Sequence, residues 1–195
     1  MIIKDVPIHK DNQEPRIPTQ HIEAVVIHIM QGTLIGTDGW FGGQNIQNGI
    51  YSSSHEGIGK NGEVHMYVKT ENISYHAGRV NQPIWSGMKK NVFGSYVNPN
   101  QYTYGIECEG FRGDMWTEEQ MNSLVGRVRL SCLNNNIPFT RSKIISHHEI
   151  TADKENMSQW CDEVVKRLNQ TTPITDKRSE IKKKLQEVLE LINSL

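Results

Sequence analysis

Residues 24–27 read Ala-Val-Val-Ile and run straight into His28. A near-continuous apolar stretch of this length, Glu23 to Met30, suits a strand at the centre of a sheet with both faces covered. A strand of that kind cannot stand alone, because its two faces need further layers packed on them. At 195 residues and 36% hydrophobic content, the chain can bury one real core, so a single globular domain is expected.

The rest of the chain supplies the partners. Ser53 to Ile58 and Glu63 to Val68 flank Lys60-Asn61-Gly62, and Asn-Gly between alternating segments predicts a β-hairpin. Asn72 to His76 continues extended, and Thr103 to Glu109 and Ser142 to Ser146 are further strands. Thr117-Glu118-Glu119-Gln120 resembles a capping box and opens an amphipathic helix through about Asn135, with Met121, Leu124, Val125, Val128 and Leu133 as its buried stripe. A second helix runs from Ser158 to Leu168. The glycine-rich stretch from Gln31 to Gly49, which holds Trp40 and Phe41, reads as a loop with a helical turn or two. Residues 1–21, with Pro7, Pro15 and Pro18, read as an extended arm over the surface. The expected fold is α/β, a central mixed sheet flanked by helices. Residues 22–169 would form the main domain, and 170–195 a linker and a C-terminal amphipathic helix. In that helix Ile181, Leu185, Val188, Ile192 and Leu195 form a short heptad seam that would dock on the domain, pair with a second copy or tether a larger assembly.

Charge and cysteine content narrow the function. A formal net charge of −1 offers no global attraction for nucleic acid or an anionic membrane. No segment has the length and apolarity of a membrane span or a leader with a small-residue cleavage site, so a protein cytoplasmic as synthesised is expected, acting elsewhere only after release by another system. Three cysteines without CxxC spacing argue against a disulfide framework or an all-cysteine zinc site. Cys108 and Cys132 read as small buried hydrophobes.

The chemistry lies in polar residues inside apolar segments. His28 ends one buried strand, and His147 follows another, Ile144-Ile145-Ser146. Two imidazoles on stiff backbone suit a zinc site with three protein ligands and one open position. Glu107 lies mid-strand between Ile106 and Cys108, where a carboxylate is costly to bury unless it meets a cation or a water it can activate. Alternation puts Glu107 and Glu109 on one face, so at least one of them is expected to line a cavity. His55, His65 and His76 add imidazoles in or beside the hairpin region.

The order of these segments resembles a known family. Val25-Val26-Ile27-His28, Ser53-Ser54-His55 leading to Lys60-Asn61-Gly62-Glu63-Val64, Tyr75-His76-Ala77-Gly78, Tyr104-Gly105-Ile106-Glu107-Cys108-Glu109-Gly110 and Ser146-His147-His148-Glu149-Ile150 together resemble the type 2 N-acetylmuramoyl-L-alanine amidases. That superfamily includes phage lysozyme-type amidases, anhydromuropeptide amidases and peptidoglycan recognition proteins. The resemblance covers about residues 22–169. It implies a groove for glycan and stem peptide with Zn²⁺ at its floor, and hydrolysis of the amide between N-acetylmuramic acid and L-alanine of peptidoglycan, as in a phage or prophage lysin or a cytoplasmic recycling enzyme. It also implies that His28 and His147 are zinc ligands and that Glu107 handles the attacking water. His76, Trp40 and His55 are candidates for contact with the peptidoglycan or muropeptide substrate.

The third ligand departs from the pattern. Family members carry cysteine or aspartate followed by Pro-Gly, whereas this chain reads Ile150-Thr151-Ala152-Asp153-Lys154-Glu155-Asn156-Met157. Aligning Trp160 with the start of the last helix puts Glu155 in the ligand slot, with Asp153, Cys161 and Asp162 as alternatives. Lys154 is one residue away from the family's helper lysine and is the candidate for stabilising an oxyanion. Without a complete ligand set, the same fold would serve as a non-catalytic peptidoglycan-binding module.

Overall fold

The computed structural model describes residues 2–170 and 187; the C-terminal heptad seam lies outside the described residues. The described residues form eight strands: β1 (Ile3–Asp5), β2 (Gln13–Pro15), β3 (Ala24–Ile29), β4 (Glu56–Ile58), β5 (Val64–Met66), β6 (Asn72–Ser74), β7 (Thr103–Cys108) and β8 (Ile144–Ser146). The helices are α1 (Leu34–Gly39), α2 (Asn45–Gln47), α3 (Glu118–Asn134) and α4 (Ser158–Gln170), with a wider turn over Trp40–Gln44 joining α1 to α2. Six strands form one mixed sheet in the order β1-β5-β4-β7-β3-β8, and β2 pairs with β6 beside it. This is the expected α/β architecture.

β3 lies between β7 and β8, parallel to both. Val25 and Ile27 face one side, where they pack with Tyr104, Ile106, Leu124, Val128 and Val164 beneath α3 and α4. Ala24 and Val26 face the other side, against Ala77, Trp85, Tyr102 and Ile150. All four are fully buried, and a Val or Ile contributes on the order of 1.5–3 kcal/mol when so covered. Period-two alternation then assigns His28 to the face of Ala24 and Val26, and Thr103, Gly105 and Glu107 to that same face of β7. Helices α3 and α4 cover one side of the sheet; His28, Thr103 and Glu107 lie on the other, where Leu34 of α1 also approaches β4.

Three segments differ from the sequence reading. The N-terminal arm joins the sheets: β1 pairs parallel with β5 and β2 antiparallel with β6. Asn12 between them is fully buried and donates to the Phe41 carbonyl and to Asn45 Oδ1. The glycine-rich stretch after β3 is mostly helical, started by Thr33, whose hydroxyl accepts from Gly36 N–H; a cap of this kind contributes about 1 kcal/mol. Thr117 likewise caps α3 by accepting from Gln120 N–H. The Gln120 side chain does not close a capping box, because it is buried and donates to the Ile58 and Glu109 carbonyls, tying the helix to the sheet. Between β4 and β5 the hairpin turn closes with Gly62 N–H on the Gly59 carbonyl, and Gly62 has a φ of +78° that favours glycine. Among the described residues no helix is long and apolar enough to cross a membrane.

Candidate active site

Register brings the key side chains together. His28 is directly opposite Glu107, and Ser146 is directly opposite Ile27, so His147 follows at the level of His28. All three strands are parallel, which puts these residues at the carboxyl ends of neighbouring strands, where open α/β sheets place their ligand sites. His147 begins a single turn, His147–Glu149, held by reciprocal bonds between Ser146 and Glu149. The His28 and His147 ring centroids are 4.5 Å apart. His28 Nδ1 lies 3.8 Å from Glu107 Oε1.

His76 completes the cluster from outside the sheet. Its backbone N–H and that of Ala77 both donate to Asn100 Oδ1, at 3.1 and 2.7 Å. The ring packs so closely on β7 that a Cβ at position 105 would lie 2.5 Å from His76 Cγ. Glycine in the middle of a strand marks such a close approach. His76 Nδ1 is 3.1 Å from His28 Nε2, and His76 Nε2 is 3.2 Å from Thr103 Oγ1.

Burial sets the charge state. Desolvation, followed by the His147 and His76 rings and Lys154, holds His28 well below the usual imidazole range. Burial lowers His76 to about 3; burial, then His76 and Lys154, lower His147 to about 3, with Asp153 opposing. These rings are therefore neutral near pH 7 and keep a lone pair for a metal or a proton. Desolvation pushes the Glu107 carboxyl up to about 7, with Lys154 pulling it down. Glu107 Oε2 is buried without a hydrogen-bond partner, and such an orphan is costly unless the site gives it a task.

A cavity of about 390 Å³ opens here, lined by Glu107, His76, Lys154, Trp40, Thr33 and Ser53 among others. Its volume is in the range of small-ligand sites. Trp40 forms part of the wall and donates from Nε1 to Ser52 Oγ at 3.0 Å. Lys154 is held by its carbonyl, which lies 3.0 Å from His148 Nδ1. A more open hollow of about 700 Å³ includes Tyr51, Tyr75, Arg79 and Asn98 in its lining.

Other candidates are placed differently. His55, expected to meet substrate, is fully buried beneath the site and stacked on Tyr104 at 4.1 Å. Its Nδ1 accepts from Ser74 Oγ and Gly105 N–H, so it joins β6 to β7 instead of facing a groove. His65 lies on β5 between Asp38 and Glu63. Glu109 accepts from Lys60 N–H at the hairpin turn, so of the two glutamates it is Glu107 that lines the cavity.

The four candidates for a third ligand each have other surroundings. Glu155 Oε2 is 2.8 Å from Arg112 Nε, Asp153 is 3.1 Å from Arg79, and Asp162 is 2.8 Å from Arg141. Cys161 is fully buried on the core-facing side of α4, its thiol pushed up by desolvation. Among the described residues no group of three or more His, Cys, Asp or Glu side chains is already arranged around one point as a metal site. The donor chemistry nonetheless fits zinc: two adjacent neutral imidazoles, an orphaned carboxylate oxygen, and a glutamate tied only by a surface-type pair to a guanidinium that is 81% exposed.

Asn100, Thr103 and Gly105 support the site without having been singled out in the sequence. Only Gly105, a glycine inside a predicted strand, carried a signal.

Comparison with known proteins places these features in context. The family model described as N-acetylmuramoyl-L-alanine amidase matches residues 18–162. No curated protein matches the chain. Among solved structures, N-acetylmuramoyl-L-alanine amidase LysC from Clostridium intestinale is similar with a TM-score of 0.61 at 19% identity, over 85% of this chain and 97% of that one. A selenomethionine derivative of AmpD gives 0.61 at 18% identity, over 83% and 93%. A Drosophila PGRP-LB variant in complex with tracheal cytotoxin gives 0.58 at 12% identity, over 82% and 91%.

Proposed function

From the premise that the chain belongs to the N-acetylmuramoyl-L-alanine amidase family, we propose that it is a zinc-dependent hydrolase. Its substrate is peptidoglycan or a muropeptide, and the bond cleaved is the amide between the lactyl group of N-acetylmuramic acid and L-alanine. The single observation that carries this reading is the partnerless buried Glu107 oxygen beside the neutral His28 and His147 rings.

His28, His147 and Glu155 would hold the ion. Glu155 would exchange Arg112 for it, which costs little because an exposed ion pair contributes only about 0–1 kcal/mol. When bound, zinc polarises the scissile carbonyl and acidifies water. Glu107, raised to about 7, accepts a proton from the attacking water as the new C–O bond forms, and returns it to the leaving amine as the C–N bond breaks. Lys154 offsets negative charge developing on the carbonyl oxygen. His76 supports His28, and Trp40 presents an aromatic face suited to a sugar or peptide. The biological setting of this proposal is a phage or prophage lysin.

The test measures metal content of the purified protein, then release of free L-alanine amino termini from peptidoglycan with and without a chelator. Chelator-sensitive release that Glu107→Gln and His28→Ala both abolish is the expected result. Activity untouched by His28→Ala would overturn it. A second reading, a peptidoglycan-binding module that does not hydrolyse, is favoured by the Glu155–Arg112 pair alone, and binding without release would establish it. Turbidity of a cell-wall suspension tests the lysin role, with clearing as the expected outcome and a stable suspension against it.

A further inference from the structure

Three buried contacts in a row carry a directional argument: Thr103 Oγ1 to the Pro99 carbonyl at 2.7 Å, His76 Nε2 to Thr103 Oγ1 at 3.2 Å, and His28 Nε2 to His76 Nδ1 at 3.1 Å. A carbonyl oxygen has no proton to give, so the Thr103 hydroxyl must donate to Pro99. The Thr103 oxygen then meets His76 as an acceptor, which places the hydrogen of the neutral His76 ring on Nε2. His76 Nδ1 is left with its lone pair and must accept from His28 Nε2–H. The reverse order would set two bare oxygens 2.7 Å apart at the Thr103–Pro99 contact, away from solvent, where an unmade bond is costly.

We infer that Thr103 and His76 are positioning residues that lock His28 in the tautomer with hydrogen on Nε2, leaving the Nδ1 lone pair on the side of Glu107. The fold invests in this chain of contacts. Thr103 is fully buried at the start of β7, Asn100 clamps the backbone of His76, and Gly105 makes room for its ring. Outer hydrogen bonds of this kind orient metal-binding histidines and decide which nitrogen is available. Toward the metal, the inference rests on the proposed zinc reading; toward the tautomers, it stands without it.

Two measurements test it. Long-range ¹H–¹⁵N correlation spectra of the metal-free, full-length protein at pH 8 are expected to place hydrogen on Nε2 of both His28 and His76; hydrogen on Nδ1 of either ring overturns the relay whatever the metal does. Thr103→Val, which keeps shape and removes the hydroxyl, is expected to weaken zinc binding by about 10-fold or more and to populate the other His76 tautomer, while Thr103→Ser restores both. Unchanged tautomers and unchanged zinc affinity in a folded Thr103→Val protein would refute the positioning role. If Thr103→Val fails to fold, the wild-type spectra and Thr103→Ser still decide. A wild-type protein that binds no zinc would sink the proposed function and leave the tautomer result to judge the relay.

Discussion

His28 and Glu107 occupy directly opposed positions on two parallel strands, β3 and β7, and bring Nδ1 and Oε1 to 3.8 Å on the face of the sheet opposite α3 and α4. An imidazole held neutral and a carboxyl held near 7 thus share one floor. Each is perturbed by burial first, and each is expensive to keep for packing alone.

Replacing Glu107 separates catalysis from stability. Glu107→Gln is expected to lower kcat by about 10²–10⁴-fold. The folded protein binds the Glu107 proton more tightly than the unfolded chain does, so wild type is relatively destabilised as pH rises from the ordinary carboxyl range through about 7. The glutamine variant should therefore be more stable at pH 8, by up to about 3 kcal/mol, and the difference should vanish below about pH 4. Denaturant unfolding of the metal-free proteins at the two pH values reads this directly.

Acid should weaken the metal-free protein well before its carboxylates other than Glu107 titrate. His76 and His147 are lowered to about 3, so below the unfolded value of about 6.5 the unfolded chain takes up protons that the folded state refuses. Stability is then lost as pH falls between those limits, by about 1.4 kcal/mol per pH unit for each ring, of which protonation of Glu107 below about 7 offsets no more than one ring's share. A melting temperature that does not move between pH 7 and 5 would contradict this.

Gly105→Ala tests the close approach of His76. The added methyl would lie 2.5 Å from His76 Cγ and 2.7 Å from Nδ1, so the ring or β7 must shift. Overpacking of this kind costs about 1–3 kcal/mol. The variant should lose stability and bind zinc more weakly, both measurable by calorimetry.

Arg112 and Glu155 form a pair that competes with the metal. Arg112→Ala is expected to tighten zinc binding by up to about fivefold, the equivalent of a surface ion pair, whereas Glu155→Ala weakens it. Titration calorimetry showing weaker binding for Arg112→Ala would remove Glu155 from the ligand set.

Local patterns made much of this molecule readable. The run ending at His28 forms an interior strand because period and apolarity act on adjacent residues, and the hairpin at Lys60-Asn61-Gly62 and the Thr117 cap are equally local. Partner choice across long separations was not readable. Nothing near Ile3 says that it will pair with Val64, or near Gln13 that it will pair with Ser74. The stretch after Met30 contains too many glycines for propensity to favour helix, and its cap at Thr33 decided otherwise. His55 shows the same limit from the other side: residue type suggested contact with ligand, but the ring is enclosed by Tyr104, Ser74 and Gly105. Asn100 and Thr103 matter through bonds to segments 24 to 27 residues away.

The position of β3, flanked by β7 and β8 and packed on both faces, has a consequence for motion. Amide hydrogens in the middle of a sheet exchange with solvent only when the whole domain opens. Those of Val26 and Ile27, next to His28, should be among the slowest in deuterium exchange, so the floor of the cavity keeps its geometry for as long as the domain stays folded.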